Sequence, residues 1–258
     1  MSAYILCRTR AAKNPYYIEN TGTNIFTLEE LCYYAANYAP LLDPSILNED
    51  LVRWVAGELK LQGLAMNMGK ALRAKKRVAD FILPIFLEAG YMTNAEMNDY
   101  ARMLDEMKKL PVPERLKLKG DSLVKSGKYA SAIRSYRSLL DAPGPMEDSL
   151  RAGIWHNLGV AQMKLLLFAE GLRSFREAYD LDPTPARRQV CICAARITRP
   201  EKKFREEMAE AGMDAEAVKT AEEAVDVARK AALSLELPED PEEFLIEEMA
   251  AYHSAVGA

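Results

Sequence analysis

Five cations fall within eight residues, Lys70, Arg73, Lys75, Lys76 and Arg77, and a run of that density can meet the phosphates of a nucleic acid or another polyanion. Chains that read nucleic acids pair such a run with a recognition helix or with aromatics that stack on bases. Here the nearby Asp80 opens a strongly apolar stretch. The run therefore reads as a solvated turn, and contact with nucleic acid or another polyanion through residues 70–77 is the alternative function. Met66 and Met68 beside it read as gap-fillers of the core.

Metal and covalent chemistry find less to work with. Cys191-x-Cys193 falls short of the four ligands that a structural zinc takes, and on a helix two residues that far apart point to different sides. Buried small core residues are the better reading of that pair. His156 and His253 have no cysteine or carboxylate at ligand spacing. A glycine-rich phosphate loop, a nucleophile elbow and a metalloprotease helix are all missing from the sequence. Acidic pairs such as Glu206-Glu207 and Glu222-Glu223 sit in amphipathic patterns and read as solvated faces. The chain is expected to be no enzyme, with no cofactor and no metal.

Bulk composition points the same way. The 258 residues include 34 basic and 38 acidic side chains, for a net charge of −4. That length can bury a large core, and a mildly negative total supplies no global field toward nucleic acid or anionic lipid. No basic start with a long apolar run behind it opens the chain, and no stretch reaches about eighteen uninterrupted apolar residues. Cys7, Cys32, Cys191 and Cys193 show no disulfide-framework spacing, which suits a reducing compartment. The expectation is a cytoplasmic protein that contacts no membrane and chooses its partners by local surfaces.

The elements that must position any site are helices. Residues 3–7 and 16–18 carry β-favouring side chains but are too short to build a sheet, leaving room for one small hairpin. Thr27-Leu28-Glu29-Glu30 is a capping box that starts a helix at Leu28, ending near Asn37 to Pro40. Asp43-Pro44 gives a second start signal, a cap followed by proline at the first helical position. Helices over about 49–60, 64–73, 78–89 and 94–109 follow, the last opened by the box Thr93-Asn94-Ala95-Glu96. Pro84 should kink or break the third of these. Leu110-Pro111-Val112-Pro113 disfavours helix and marks a boundary, leaving an N-terminal helical domain over residues 1–110. Helices at about 186–197, 200–211, 214–233 and 241–253 complete the chain.

Between the boundary and Pro183 two stretches align in one frame. The first reads Leu116-x3-Gly120-x6-Gly127-x-Tyr129-x2-Ala132-x3-Tyr136, and the second Trp155-x2-Leu158-Gly159-x8-Phe168-x2-Gly171-x3-Phe175-x2-Ala178-x4-Pro183. Small residues at Gly120, Ala132, Gly159 and Gly171 let two antiparallel helices approach, while Tyr136 and Phe175 fill the space between units. This pattern resembles the tetratricopeptide repeat. The two glycines are 39 residues apart, against a family period of about 34, and the loop at 142–148 absorbs the difference at little entropic cost. The fold expected is all-α: a tetratricopeptide-like solenoid of helical hairpins over residues 111–198, with two clear units and one diverged, and C-terminal helices with an acidic capping tail over 199–258. In the tail seven carboxylates stand without a lysine or arginine from Glu236 onward, and Phe244, Leu245 and Met249 are expected to pack over the last repeat. The head is similar to a family of uncharacterised repeat proteins of clostridia-type bacteria, through Tyr4-Ile5-Leu6-Cys7-Arg8, Asn14-Pro15-Tyr16-Tyr17-Ile18-Glu19-Asn20 and Glu29-Glu30-Leu31-Cys32-Tyr33-Tyr34. That likeness implies a bacterial origin and no activity.

The tetratricopeptide resemblance implies a function. Stacked hairpins expose their first helices along one concave surface that holds a peptide or a partner helix, so the chain is expected to be a non-catalytic adaptor or scaffold. Some members of the family clamp a peptide C-terminal carboxylate with basic and amide side chains on three first helices. Carried over by position, that clamp falls on Lys117 and Asp121, on Asn157 and Lys164, and on Arg187 and Cys191. Lys117, Asn157, Lys164 and Arg187 suit an anion; Cys191 does not replace an arginine, and Asp121 repels a carboxylate unless Lys117 or Lys164 neutralises it.

Overall fold

The computed structural model describes residues 9–234 and 240–256. Over these residues the chain is all-α apart from one hairpin. Strands β1 (Tyr16–Ile18) and β2 (Thr23–Ile25) pair antiparallel with Tyr16 opposite Ile25; the segment expected to be extended at 3–7 lies outside the described residues. Helix α1 (Leu28–Asn37) begins at the capping box, where the Glu30 N–H donates to Thr27 Oγ1 at 3.2 Å and the Thr27 N–H to Glu30 Oε2 at 3.1 Å. The expected start at Asp43-Pro44 is not used. Asp43 Oδ1 accepts the Ser45 N–H at 2.9 Å, and its Oδ2 accepts from Lys119 Nζ at 2.6 Å. Those bonds make it a turn residue and a long-range tether. The cap belongs to Asn48, whose Oδ1 accepts from the Asp50 and Leu51 amides and opens α2 (Glu49–Gly57).

Helices α3 (Gln62–Arg73), α4 (Val78–Ala89) and α5 (Asn94–Lys109) follow. Met68 enters the core while Met66 is 56% exposed, so only one of the two fills a gap. Pro84 sits inside α4 without ending it. Burial of Phe81, Ile82, Ile85 and Phe86 on either side of the proline holds the helix continuous, packing overriding local propensity. The Leu110–Pro113 link is also more helical than expected. Helix α6 (Val112–Lys125) takes Pro113 into its first turn, where no N–H has an intrahelical partner to lose.

One apolar core runs from Ala12 to Ala161, through both sides of that link. The chain splits into two compact units between Arg187 and Arg188. In the first, α6 packs on α7 (Tyr129–Leu140) and on α8 (Asp148–Lys164), α7 packs on α8, and α8 on α9 (Phe168–Leu181). The small residues act as the spacing suggested. A Cβ on Gly120 would lie 2.4 Å from Tyr136 Cε1, and one on Gly159 would lie 2.8 Å from Phe175 Cδ1. Each aromatic of a second helix thus packs against the bare backbone of the first.

The turns repeat as well. Gly127 between α6 and α7 has φ +71°, and Leu166, 39 residues later, has φ +61°. Around the first, the Lys128 N–H donates to the Leu123 carbonyl at 2.9 Å and the Gly127 N–H to Val124 at 3.0 Å; around the second, Leu167 donates to Gln162 at 2.9 Å and Leu166 to Met163 at 3.0 Å. This is a left-handed cap that glycine adopts freely and leucine only under strain. Replacing Leu166, 72% exposed, by glycine should therefore stabilise the chain by about 0.5–1 kcal/mol after glycine's larger unfolded-state entropy is deducted. Chemical denaturation of the variant checks the sign.

Helix α10 (Pro185–Thr198) precedes α11 (Glu201–Glu210), α12 (Ala215–Leu233) and α13 (Pro241–Val256). In the second unit Arg196 lies over the buried Phe204 ring, 6.0 Å from its centroid, and Arg199 Nε meets Glu207 at 2.9 Å. The acidic tail expected from the sequence forms helix α13. Phe244, Leu245, Ile246 and Met249 are 44%, 58%, 68% and 60% exposed. Deleting residues 238–258 should accordingly leave the thermal unfolding midpoint of the remaining chain unchanged; a clear drop would mean that the tail does cap a core.

Candidate functional site

Lys117 and Asp121 of α6 and Asn157 of α8, three of the carried-over positions, come together around the Asp121 carboxylate. Lys117 Nζ lies 2.7 Å from Asp121 Oδ2, one helical turn apart. Asn157 Nδ2 donates to Asp121 Oδ1 at 2.7 Å, and the Tyr136 hydroxyl donates to the same oxygen at 2.6 Å. Burial, and then the bond to Asp121, push the Tyr136 phenol well above its ordinary value, so it stays a donor throughout the working range. Asp121 therefore does not stand as an unneutralised charge; it gathers a cation, an amide and a phenol from three helices. Lys117 crosses to α8 because Gly153 leaves the space: a Cβ there would lie 3.2 Å from Lys117 Cε.

The other two residues of the carried-over set stand apart from this network. Arg187 ion-pairs with Asp182 and also donates to its carbonyl at 3.2 Å. Lys164 ends α8, is exposed and has no ion-pair partner among the described residues. Two helical turns separate it from Asn157, a rise of about 10 Å. Cys191 is buried and Cys193 half-buried, in keeping with their reading as core residues.

His156 belongs to this face, and the sequence reading passed over it as an isolated histidine. Its signal was the repeat frame: it stands 39 residues after Lys117, at the equivalent position of the second unit. The ring is half-buried and lies 5.4 Å from Phe175. Burial first, then the charges of Arg187 and Lys117, hold the imidazole below its ordinary 6.5. The unfolded chain therefore takes up this proton before the folded chain does. The contribution to stability is fully present above pH 6.5 and is lost as pH falls from there through the lower folded value. A His156→Phe variant should lose that part of the acid slope, a difference readable in unfolding midpoints taken on either side of pH 6.5.

A surface cavity of about 380 Å³ opens beside Lys117, between the first turns of α6 and α8, lined by Leu110, Glu114, Leu118, Glu147, Ser149 and Leu150. It continues the polar face into a mixed apolar and acidic end. In the basic run, Arg73 faces Glu49 at 3.6 Å, and Arg77 pairs with Asp80 at 3.0 Å and with Asp105 at 2.8 Å. Two of its five cations are thus already engaged.

No family model, no curated protein and no solved structure matches the chain. No helix among the described residues is long and apolar enough to cross a membrane.

Proposed function

We propose that the chain is a tetratricopeptide-like adaptor or scaffold, cytoplasmic and bacterial, whose α6 and α8 face receives a peptide or helix of a protein partner. The observation that carries this reading is the duplicated hairpin. The α6–α7 and α8–α9 pairs share their glycine–aromatic contacts and their left-handed turns at a spacing of 39 residues, and the same spacing sets Lys117 and His156 at matching places on the first helices. Repeated hairpins offer first helices as a continuous recognition surface, and peptides lie on such surfaces through alternating polar and apolar contacts.

Lys117, Asn157, Lys164 and Arg187 are the proposed peptide contacts. Asp121 already engages Lys117 and Asn157, and Asp182 engages Arg187. A ligand carboxylate must therefore compete with internal ones, while Lys164 is open to it. The preference for a free carboxylate over an amide should consequently be small, about tenfold or less. The polyanion reading of residues 70–77 has less support, because Arg73 and Arg77 are neutralised in place.

The test begins with peptides selected from a random library on the full chain. Calorimetry then compares the acid and amide forms of a selected peptide against the parent and a Lys117→Ala, Arg187→Ala double variant. Weakened binding to the double variant supports the face as the site. Unchanged binding to it, with a peptide that binds the parent tightly, removes these residues from the function.

A further inference from the structure

Two cavities lie on either side of the turn between α3 and α4. The first, about 300 Å³, is lined by the 3-10 turn Ala39–Leu41, the start of α4, α5 and Arg115 of α6. The second, about 270 Å³, lies against Pro44, Leu47, Leu72 and Phe81. Leu42, Lys76, Arg77 and Val78 line both, so the two are neighbouring chambers with a common wall. Their floors are apolar and fixed: Ala39, Leu42, Ala71, Ala79, Phe81 and Leu104 are each less than 9% exposed. The first volume stands at the lower limit of the range for small-molecule sites, about 300 Å³, and the second just below it.

The rims are cationic. Lys75, Lys76, Arg77, Lys108 and Arg115 face the chambers, against Asp43 and Asp105. Both carboxylates are spent, Asp43 on Lys119 at 2.6 Å and Asp105 on Arg77 at 2.8 Å. Lys75, Lys76, Lys108 and Arg115 have no ion-pair partner among the described residues. This excess of positive charge stands on a chain of net charge −4. The turn that presents it is held in a set conformation: Lys75 has φ +49°, and the Lys76 N–H donates to the Ala71 carbonyl at 3.0 Å.

From the fixed apolar floor and the unpaired cations we infer that these chambers bind a small amphipathic anion, an apolar chain or ring carrying one compact acidic headgroup. The apolar body replaces water on the floor, which a bare phosphate cannot do, and the headgroup takes charge-assisted hydrogen bonds from Lys76, Lys108 or Arg115. A polyanion is disfavoured by the same geometry. A strand of phosphates needs a track of cations with stacking surfaces between them, whereas these cations ring a hollow. Carboxylate and phosphate heads share the required chemistry, and both belong in the test.

The test uses the full chain, labelled for amide NMR, and titrates decanoate, decyl phosphate, decyltrimethylammonium, inorganic phosphate and a single-stranded oligonucleotide, each amphiphile kept below its aggregation threshold. Decanoate or decyl phosphate is expected to bind, with shifts centred on Leu42, Val78 and Leu104. Decyltrimethylammonium should bind at least about tenfold more weakly. A Lys76→Glu, Lys108→Glu variant, altered only at exposed positions, should lose about tenfold in decanoate affinity while keeping its thermal midpoint. Equal binding of the cationic and anionic amphiphiles, shifts centred elsewhere, or a response to the oligonucleotide alone would each overturn the assignment. Binding to anionic phospholipid vesicles with none to soluble decanoate would do so too, because it would make this a membrane-facing surface.

Discussion

Replacing Gly120 by leucine is expected to destabilise the chain by about 3 kcal/mol, and Gly159→Leu by a similar amount. The direction is settled by what the new side chain meets. At Gly120 even a Cβ would stand 2.4 Å from the Tyr136 ring, which is wholly buried and anchored by its hydroxyl to Asp121. The ring cannot swing aside without losing that bond. At Gly159 the obstacle is the Phe175 ring, with atoms at 2.8 Å and 3.1 Å. Alanine should cost less, about 1–2 kcal/mol, because it adds only the Cβ to the crowded contact, and its better helix propensity than glycine's offsets part of the strain. Gly63 serves as the control. It lies in α3 with nothing within 4 Å of its would-be Cβ, so Gly63→Ala should stabilise by up to about 1 kcal/mol. Chemical denaturation of the three alanine variants checks the pattern, and equal signs at Gly63 and Gly120 would contradict it.

Asp121→Ala should cost about 2 kcal/mol, chiefly because the Tyr136 hydroxyl loses its acceptor inside the core. The Lys117 contact adds less. Both side chains of that pair keep about a quarter of their exposure, 23% and 29%, so water screens the lost attraction. Asp121→Asn retains an acceptor for Tyr136 and should cost about half as much. A double-mutant cycle with Tyr136→Phe separates the two contributions, with a coupling of about 1 kcal/mol expected between positions 121 and 136. Additive costs would mean that the hydroxyl finds another partner. The Asn variant has a second consequence, for binding. Removing the internal charge frees Lys117 for a ligand, so a peptide with a free carboxylate should bind it more tightly than it binds the parent.

Much of this arrangement was legible in the sequence because it is written in residues with one physical use. The glycine–aromatic spacing fixed which helices approach, and the Thr27–Glu30 and Thr93–Glu96 boxes fixed two helix starts to the residue. Other features were hidden because several outcomes share one local signal. Asp43-Pro44 caps a helix in many chains, but here Lys119 and Ser45 claim the carboxylate. Leu165-Leu166-Leu167 carries no turn chemistry, and the turn there is imposed by the helices it joins. Pro113 carries the local signal of a helix breaker, although the same ring is harmless in a first turn. At the candidate site, Lys117, Asp121 and Asn157 were placed together by the repeat frame. The Tyr136 hydroxyl and His156 were not, since neither a core aromatic nor a single histidine announces where it will point.

The central claim is that the α6 and α8 face around Asp121 is a recognition surface. Amide NMR of the full chain, titrated with a library-selected peptide, tests it most directly. The account predicts shifts concentrated on Lys117, Asp121, Gly153, His156 and Asn157, weakened together by Lys117→Ala. Saturable binding whose shifts leave those residues untouched would contradict it.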